Sequence, residues 1–432
     1  MLENEFRVIG RLISYYRKLY KYHVNDFLVN TKEYYTNYCK TCNECNNLET
    51  ICSKRTLYKI EDGNRIRKDC YYIRLCENLN MDILFEQKYY DDIYKIRRLL
   101  YENLVDFNVE NLMKVLEKIE NKRITFKTTI YIKEMLALYM SIIQYKLYRK
   151  LPSYEDLSVF VYLKDIVDEY DKKLILYLIY DLLFKISVEN YTRETLMDEC
   201  KDYFNDPLFF RMKLTSHVSD DHISGLLYLM SIDQKNLNLY QKYCIQDLSA
   251  LAYMNIKDYK HSYLCLNECQ LIIESGLKLS NTTLINYYRK KGIVSFANED
   301  YEGAVNSFFR VINEGNSLGV NYALLFHSLE KTGQKDRIME VLNKIDIMNI
   351  KNMNIKNILK YYKTKFDSNT LNKSKISYLE TIICEDIAPN LYLFGELFSK
   401  VFKEDLMKFV KITSNYSKLY IYESCVFKEN EL

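Results

Sequence analysis

Apolar residues recur along this chain at helical spacing. In "FRVIGRLISYYRKLYKY", Ile9, Leu12, Ile13, Tyr16 and Leu19 stand at offsets 0, 3, 4, 7 and 10. That is one stripe of an α-helix, with Arg11, Arg17 and Lys18 largely off it. Val24, Phe27 and Leu28 predict a shorter second helix. The third, "SKRTLYKIEDG", is bounded on both sides, with Ser53 as N-cap and Gly63 as stop. On it Leu57 and Ile60 point one way, while Lys54, Arg55, Tyr58 and Lys59 share an arc of roughly 140° on the other side. "CYYIRLCENLNM" adds a helix burying Leu75, Cys76 and Leu79. From about residue 84 onward helical stripes succeed one another with short polar breaks, as in "DDIYKIRRLLYENLV" and "KLILYLIYDLLFKI". Only 3 Pro and 10 Gly in 432 residues leave too few turn formers for a many-stranded sandwich or barrel. The predicted fold class is therefore all-α, and 432 residues suffice for two or three domains.

Charge and chemistry refine that picture. The net charge is +3, yet residues 1–80 carry 14 Lys and Arg against 10 Asp and Glu, so the basic surplus sits at the N-terminus. A local surplus of this kind suits contact with a polyanion. Lys54 and Arg55 open their helix at its positive end, which costs a few tenths of a kcal/mol, about what the macrodipole is worth at an exposed site. An external anion explains them; a solvated basic face on a structural helix is the plainer alternative. The 42 Tyr accompany an excess of Asn, Lys and Ile, the mark of an AT-rich genome. No run of 18 uncharged apolar residues occurs and "MLENEFRVIG" lacks a signal-peptide core, so a cytoplasmic protein with no membrane contact is expected.

Six of the 12 Cys lie between Cys39 and Cys76. Cys39, Cys42, Cys45 and Cys52 read C-x2-C-x2-C-x6-C, a spacing that suits a structural Zn, an iron–sulfur or redox centre, or plain thiols. Cys70, Cys76 or His23 could complete the set if Cys52 is a core residue. "HVSDDHISG" groups His217, Asp220, Asp221 and His222, either as metal ligands or as a polar turn between helices. No G-x-x-x-x-G-K-[ST], G-x-S-x-G or H-E-x-x-H occurs and the five His are dispersed, so no enzyme is expected.

The first 80 residues, through "IGRLISYYRKLYKYHVNDF", "ICSKRTLYKIEDG" and "YIRLCENLNM", resemble an Xre-type helix-turn-helix domain. The Ser53, Leu57, Ile60, Glu61, Gly63 pattern falls where that family has its recognition helix. The resemblance implies a DNA-binding domain over 1–83 in which Ser53, Lys54, Arg55, Thr56, Tyr58 and Lys59 enter the major groove of double-stranded DNA. One departure is an insertion, residues 29–50, in the turn of the motif, carrying Lys32, Lys40 and three of the cysteines.

Farther on, Gly292, Tyr301, Ala304 and Phe308 fall at the Gly, Tyr, Ala and Phe positions of tetratricopeptide repeats. Ala250, Tyr259, Ser262 and Leu266 repeat them 42 residues earlier, and Phe326, Lys335, Ile338 and Leu342 34 later. The resemblance implies an α-solenoid over 84–352, capped by helices in 353–432. An Xre-type N-terminus joined to such repeats resembles the peptide-responsive regulators of Gram-positive bacteria, the group that includes Rgg, PlcR and PrgX. That family implies a cytoplasmic homodimer on palindromic DNA, controlled by a short signalling peptide. Repeat register would place Asp247, Asn286, Arg289, Lys290 and His327 along the peptide groove. The competing reading is a tetratricopeptide adaptor for a protein partner, its N-terminal bundle structural or metal-sensing.

Overall fold

A computed structural model describes residues 3–29, 50–183, 192–313, 319–347, 350, 353–366, 401–402 and 405. The described residues are helical, joined by short turns and with only isolated β-bridges, as the periodicity predicted. No described helix is long and apolar enough to cross a membrane.

The chain divides into two compact units, Met1–Lys213 with Lys278–Ser280, and the remainder. The first holds α1 (Glu3–Leu19), α2 (Val24–Phe27), α3 (Lys54–Glu61), α4 (Asp69–Glu77), α5 (Gln87–Val105), α6 (Val109–Thr125), α7 (Ile132–Tyr148), α8 (Tyr154–Leu163), α9 (Glu169–Leu183) and α10 (Arg193–Lys201). The expected boundary at 83 falls inside this unit, because α1 is shared. One of its faces carries α3 and α4; its other side chains hydrogen-bond to later helices. Tyr16 donates to Glu134 on α7 at 2.6 Å, and Tyr15 to Ser158 on α8 at 3.0 Å. Tyr162 donates to the Arg11 carbonyl at 3.0 Å, and Tyr94 on α5 to Glu5 at 2.7 Å. These hydroxyls let large apolar rings fill the core while satisfying a distant acceptor.

The α1 stripe is buried at Ile9, Leu12, Ile13 and Tyr16, but Leu19 is exposed. The helix ends there, so the last member of the stripe sits in its final turn. Arg17, expected off the stripe, is buried.

A second buried network joins α5, α7 and α9. Asp171 is wholly buried and accepts from Tyr139 at 2.6 Å and Arg97 at 3.0 Å. Burial outweighs the Arg97 charge and raises its carboxyl from 3.8 to about 6. A carboxyl raised in the folded state stabilises fully below its unfolded value of 3.8, and that contribution is lost as pH rises through about 6. The unfolding free energy should therefore fall as pH rises from about 4 to about 6.5 and level off above that. Asp171→Asn should flatten this part of the profile. Parallel wild-type and variant curves would remove Asp171 as the cause.

The second unit begins within α11 (Phe210–Asp220) and continues through α12 (His222–Ser231), α13 (Leu239–Asn255), α14 (Tyr259–Glu274), α15 (Asn281–Ala297), α16 (Tyr301–Asn313), α17 (Gly319–Lys331), α18 (Lys335–Lys344) and α19 (Met353–Phe366). The three expected repeats each fall on one helix pair, α13 with α14, α15 with α16 and α17 with α18. The pair around Gly292 crosses closely, since a Cβ there would lie 2.9 Å from the Phe308 ring. Of the expected capping region 353–432, only α19, Val401, Phe402 and Asp405 are among the described residues.

Candidate nucleic-acid interface and ligand groove

Helix α3 is short, so its ends matter. Ser53 is its N-cap, in extended backbone with its hydroxyl accepting from the Thr56 N–H at 3.2 Å. The Ser53 and Thr56 hydroxyls lie 2.9 Å apart, so both serve the cap. At the other end Gly63 takes φ +84°. Its N–H donates to the Ile60 carbonyl and that of Asn64 to the Lys59 carbonyl, both at 2.9 Å. This is a Schellman stop, and the positive φ favours glycine.

Leu57 and Ile60 are fully buried, while Lys54, Arg55, Tyr58 and Lys59 are exposed and Thr56 is half-buried. Lys54, Arg55 and Lys59 form no ion pair among the described residues. Glu61, in contrast, is buried in the last turn, where the helix dipole disfavours a carboxylate. Arg17 compensates with a two-pronged contact, Nε at 2.5 Å and Nη2 at 2.9 Å, and donates Nη1 to the Tyr22 carbonyl at 3.3 Å. The hydrogen bond to Glu61 raises the guanidinium pKa further. This pair fixes the far end of α3 on α1. Sequence reading missed it, because Arg17 and Glu61 stand 44 residues apart.

The insertion is closed at its stem. Val29 and Thr50 form an antiparallel bridge, and the Ile51 N–H donates to the Leu28 carbonyl at 2.8 Å. Asn78 adds bonds to the Phe27 and Val29 carbonyls at 2.8 and 3.1 Å. The chain thus leaves and re-enters the bundle at one place, and α2 and α3 keep the nearness a tight turn would give. Lys32, Lys40, Cys39, Cys42 and Cys45 lie outside the described residues. Cys52 is buried in the core, which pushes its thiol up to about 11 and disfavours the thiolate a metal needs. Among the described residues no group of three His, Cys, Asp or Glu is placed to hold a metal. Asp221 is spent as the N-cap of α12, accepting from the Ile223 and Ser224 N–H groups, and His217 lies against Tyr228.

On the second unit the five expected groove residues separate into two kinds. Asp247 is buried and ion-paired with Lys290, so their charges cancel. His327 is buried with its ring against Phe296 at 5.6 Å. Asn286 is exposed and accepts from Arg289 Nη1 at 3.3 Å. Arg289 is half-buried, its Nε has no hydrogen-bond partner, and burial alone lowers its pKa. Among the described residues it is thus a cation without a carboxylate partner.

No protein-family model matches the chain, and neither does any curated protein or solved structure.

Proposed function

We propose that this protein is a transcription regulator that reads double-stranded DNA through α3 and is controlled by a short peptide bound in a groove of the repeat helices. The observation that carries the reading is α3 itself. Its apolar face is wholly buried, both its ends are fixed, and its outward face offers one tyrosine and three cations that form no ion pair among the described residues. Lys and Arg in that position meet guanine edges and phosphates, and Ser53 with Thr56 positions the first turn. The protein works as a homodimer in the cytoplasm, so the DNA it selects is palindromic. Selection from fragmented genomic DNA tests this: enrichment of one palindromic site supports it, and no enrichment removes it.

Arg289 and Asn286 are the groups that would hold a peptide, Arg289 through a carboxylate and Asn286 through the backbone. Small ligands released from denatured native protein should include such a peptide. Its affinity should fall about tenfold or more in Asn286→Ala with Arg289→Ala, the usual loss for a charge-assisted hydrogen bond. Equal binding to the double variant moves the site elsewhere.

An adaptor reading has its own support. Ile223, Leu227 and Met230 form an exposed apolar stripe along α12, the pattern of a protein-docking face. DNA selection separates the two readings.

A further inference from the structure

Helices α5 and α6 line an open groove of about 670 Å³ within the first unit. Its volume lies in the range of small-molecule sites. The floor is apolar: Ile96 and Phe126 are buried, Leu99 is partly exposed, and the Tyr89 ring meets Phe126 edge-on at 5.7 Å. The rim is basic. Lys95, Lys118 and Lys122 line it, against the single carboxylate of Asp92.

That carboxylate is already engaged. Lys122 lies 2.7 Å and Lys95 3.8 Å from Asp92, and the Lys122 contact holds the Asp92 carboxyl below its ordinary value. Lys118 is exposed and forms no ion pair among the described residues. The rim therefore keeps an excess of two positive charges over an apolar floor. A neutral apolar ligand would leave that excess unanswered, and a purely polar anion would leave the floor in water.

We propose that this groove binds a small amphipathic carboxylate, its carboxylate at Lys118 and Lys95 and its ring or short alkyl body on Leu99, Ile96 and Tyr89. The ammonium groups supply charge-assisted hydrogen bonds to the carboxylate, and the body contributes by area removed from water on the apolar floor. The site shares no residue with α3 or with the candidate peptide contacts, and does not depend on the DNA-binding reading.

The test uses the full chain and three probes: naphthoate, its neutral counterpart naphthamide, and acetate. Calorimetry should show saturable binding of naphthoate at one site, with naphthamide and acetate each weaker by about tenfold or more. Methyl resonances of Ile96 and Leu99 should shift with the same midpoint. Lys95→Ala with Lys118→Ala, both on exposed helix surface, should weaken naphthoate by about tenfold while leaving the fold intact. No saturable naphthoate binding overturns the proposal. So does naphthamide or acetate binding as tightly as naphthoate, or unchanged naphthoate affinity in the double variant.

Discussion

Replacing Lys54 and Arg55 together by alanine should abolish sequence-specific DNA binding while helical content and assembled mass stay at wild-type values. Both side chains are exposed and form no ion pair among the described residues, so their loss removes nothing from the fold. The helix should even gain slightly, because two cations leave its positive end. Each direct base contact is worth about 1 to 3 kcal/mol, so the pair should cost about a hundredfold in affinity or more. A variant that binds the selected site as tightly as wild type at near-physiological salt would show that α3 reads nothing.

The second large effect belongs to Gly10. A Cβ at this position would overlap the Ile60 carbonyl oxygen and lie 3.1 Å from its carbon. The obstacle is backbone, held in place by the buried Ile60 side chain and by the Arg17–Glu61 pair, so no flexible side chain can swing aside. Gly10→Ala should therefore cost about 3 kcal/mol, at the upper end of overpacking, and lift α3 from α1. Hydrogen exchange should then accelerate in α3 far more than in α9, and DNA affinity should fall although no DNA-facing residue has changed. Uniform exchange and intact DNA binding would mean that α1 and α3 tolerate a wider separation than this packing indicates.

Much of this architecture was legible because it depends on local rules. The Ser53 cap, the Gly63 stop and the buried pair Leu57 and Ile60 each follow from residues within about one turn, and the close crossing at Gly292 from a small residue set against Phe308. What could not be read was long-range polar pairing. Arg17 looked solvated until Glu61 was found beside it, and nothing near Glu134 in the sequence points to Tyr16, 118 residues away. Those pairings also tie α1 into the first unit, through hydroxyls of Tyr15, Tyr16, Tyr94 and Tyr162 that join it to α5, α7 and α8. The tyrosines that composition assigned to codon bias include these anchors, of which Tyr16 is buried and the other three half-buried. The five candidate peptide contacts lie on α13, α15 and α17, but only packing could show that Asp247 cancels Lys290 while Arg289 has no carboxylate partner among the described residues.

The DNA-reading role of α3 is tested most directly by titrating the full chain against its selected site and against a shuffled duplex of the same length and composition, over a series of salt concentrations. The selected site should bind tighter by about a thousandfold or more near physiological salt. Affinity for both duplexes should fall steeply as salt rises, since Lys and Arg contacts displace counterions from phosphates. Equal affinity for the two duplexes, or full discrimination retained by the Lys54→Ala, Arg55→Ala protein, would contradict it.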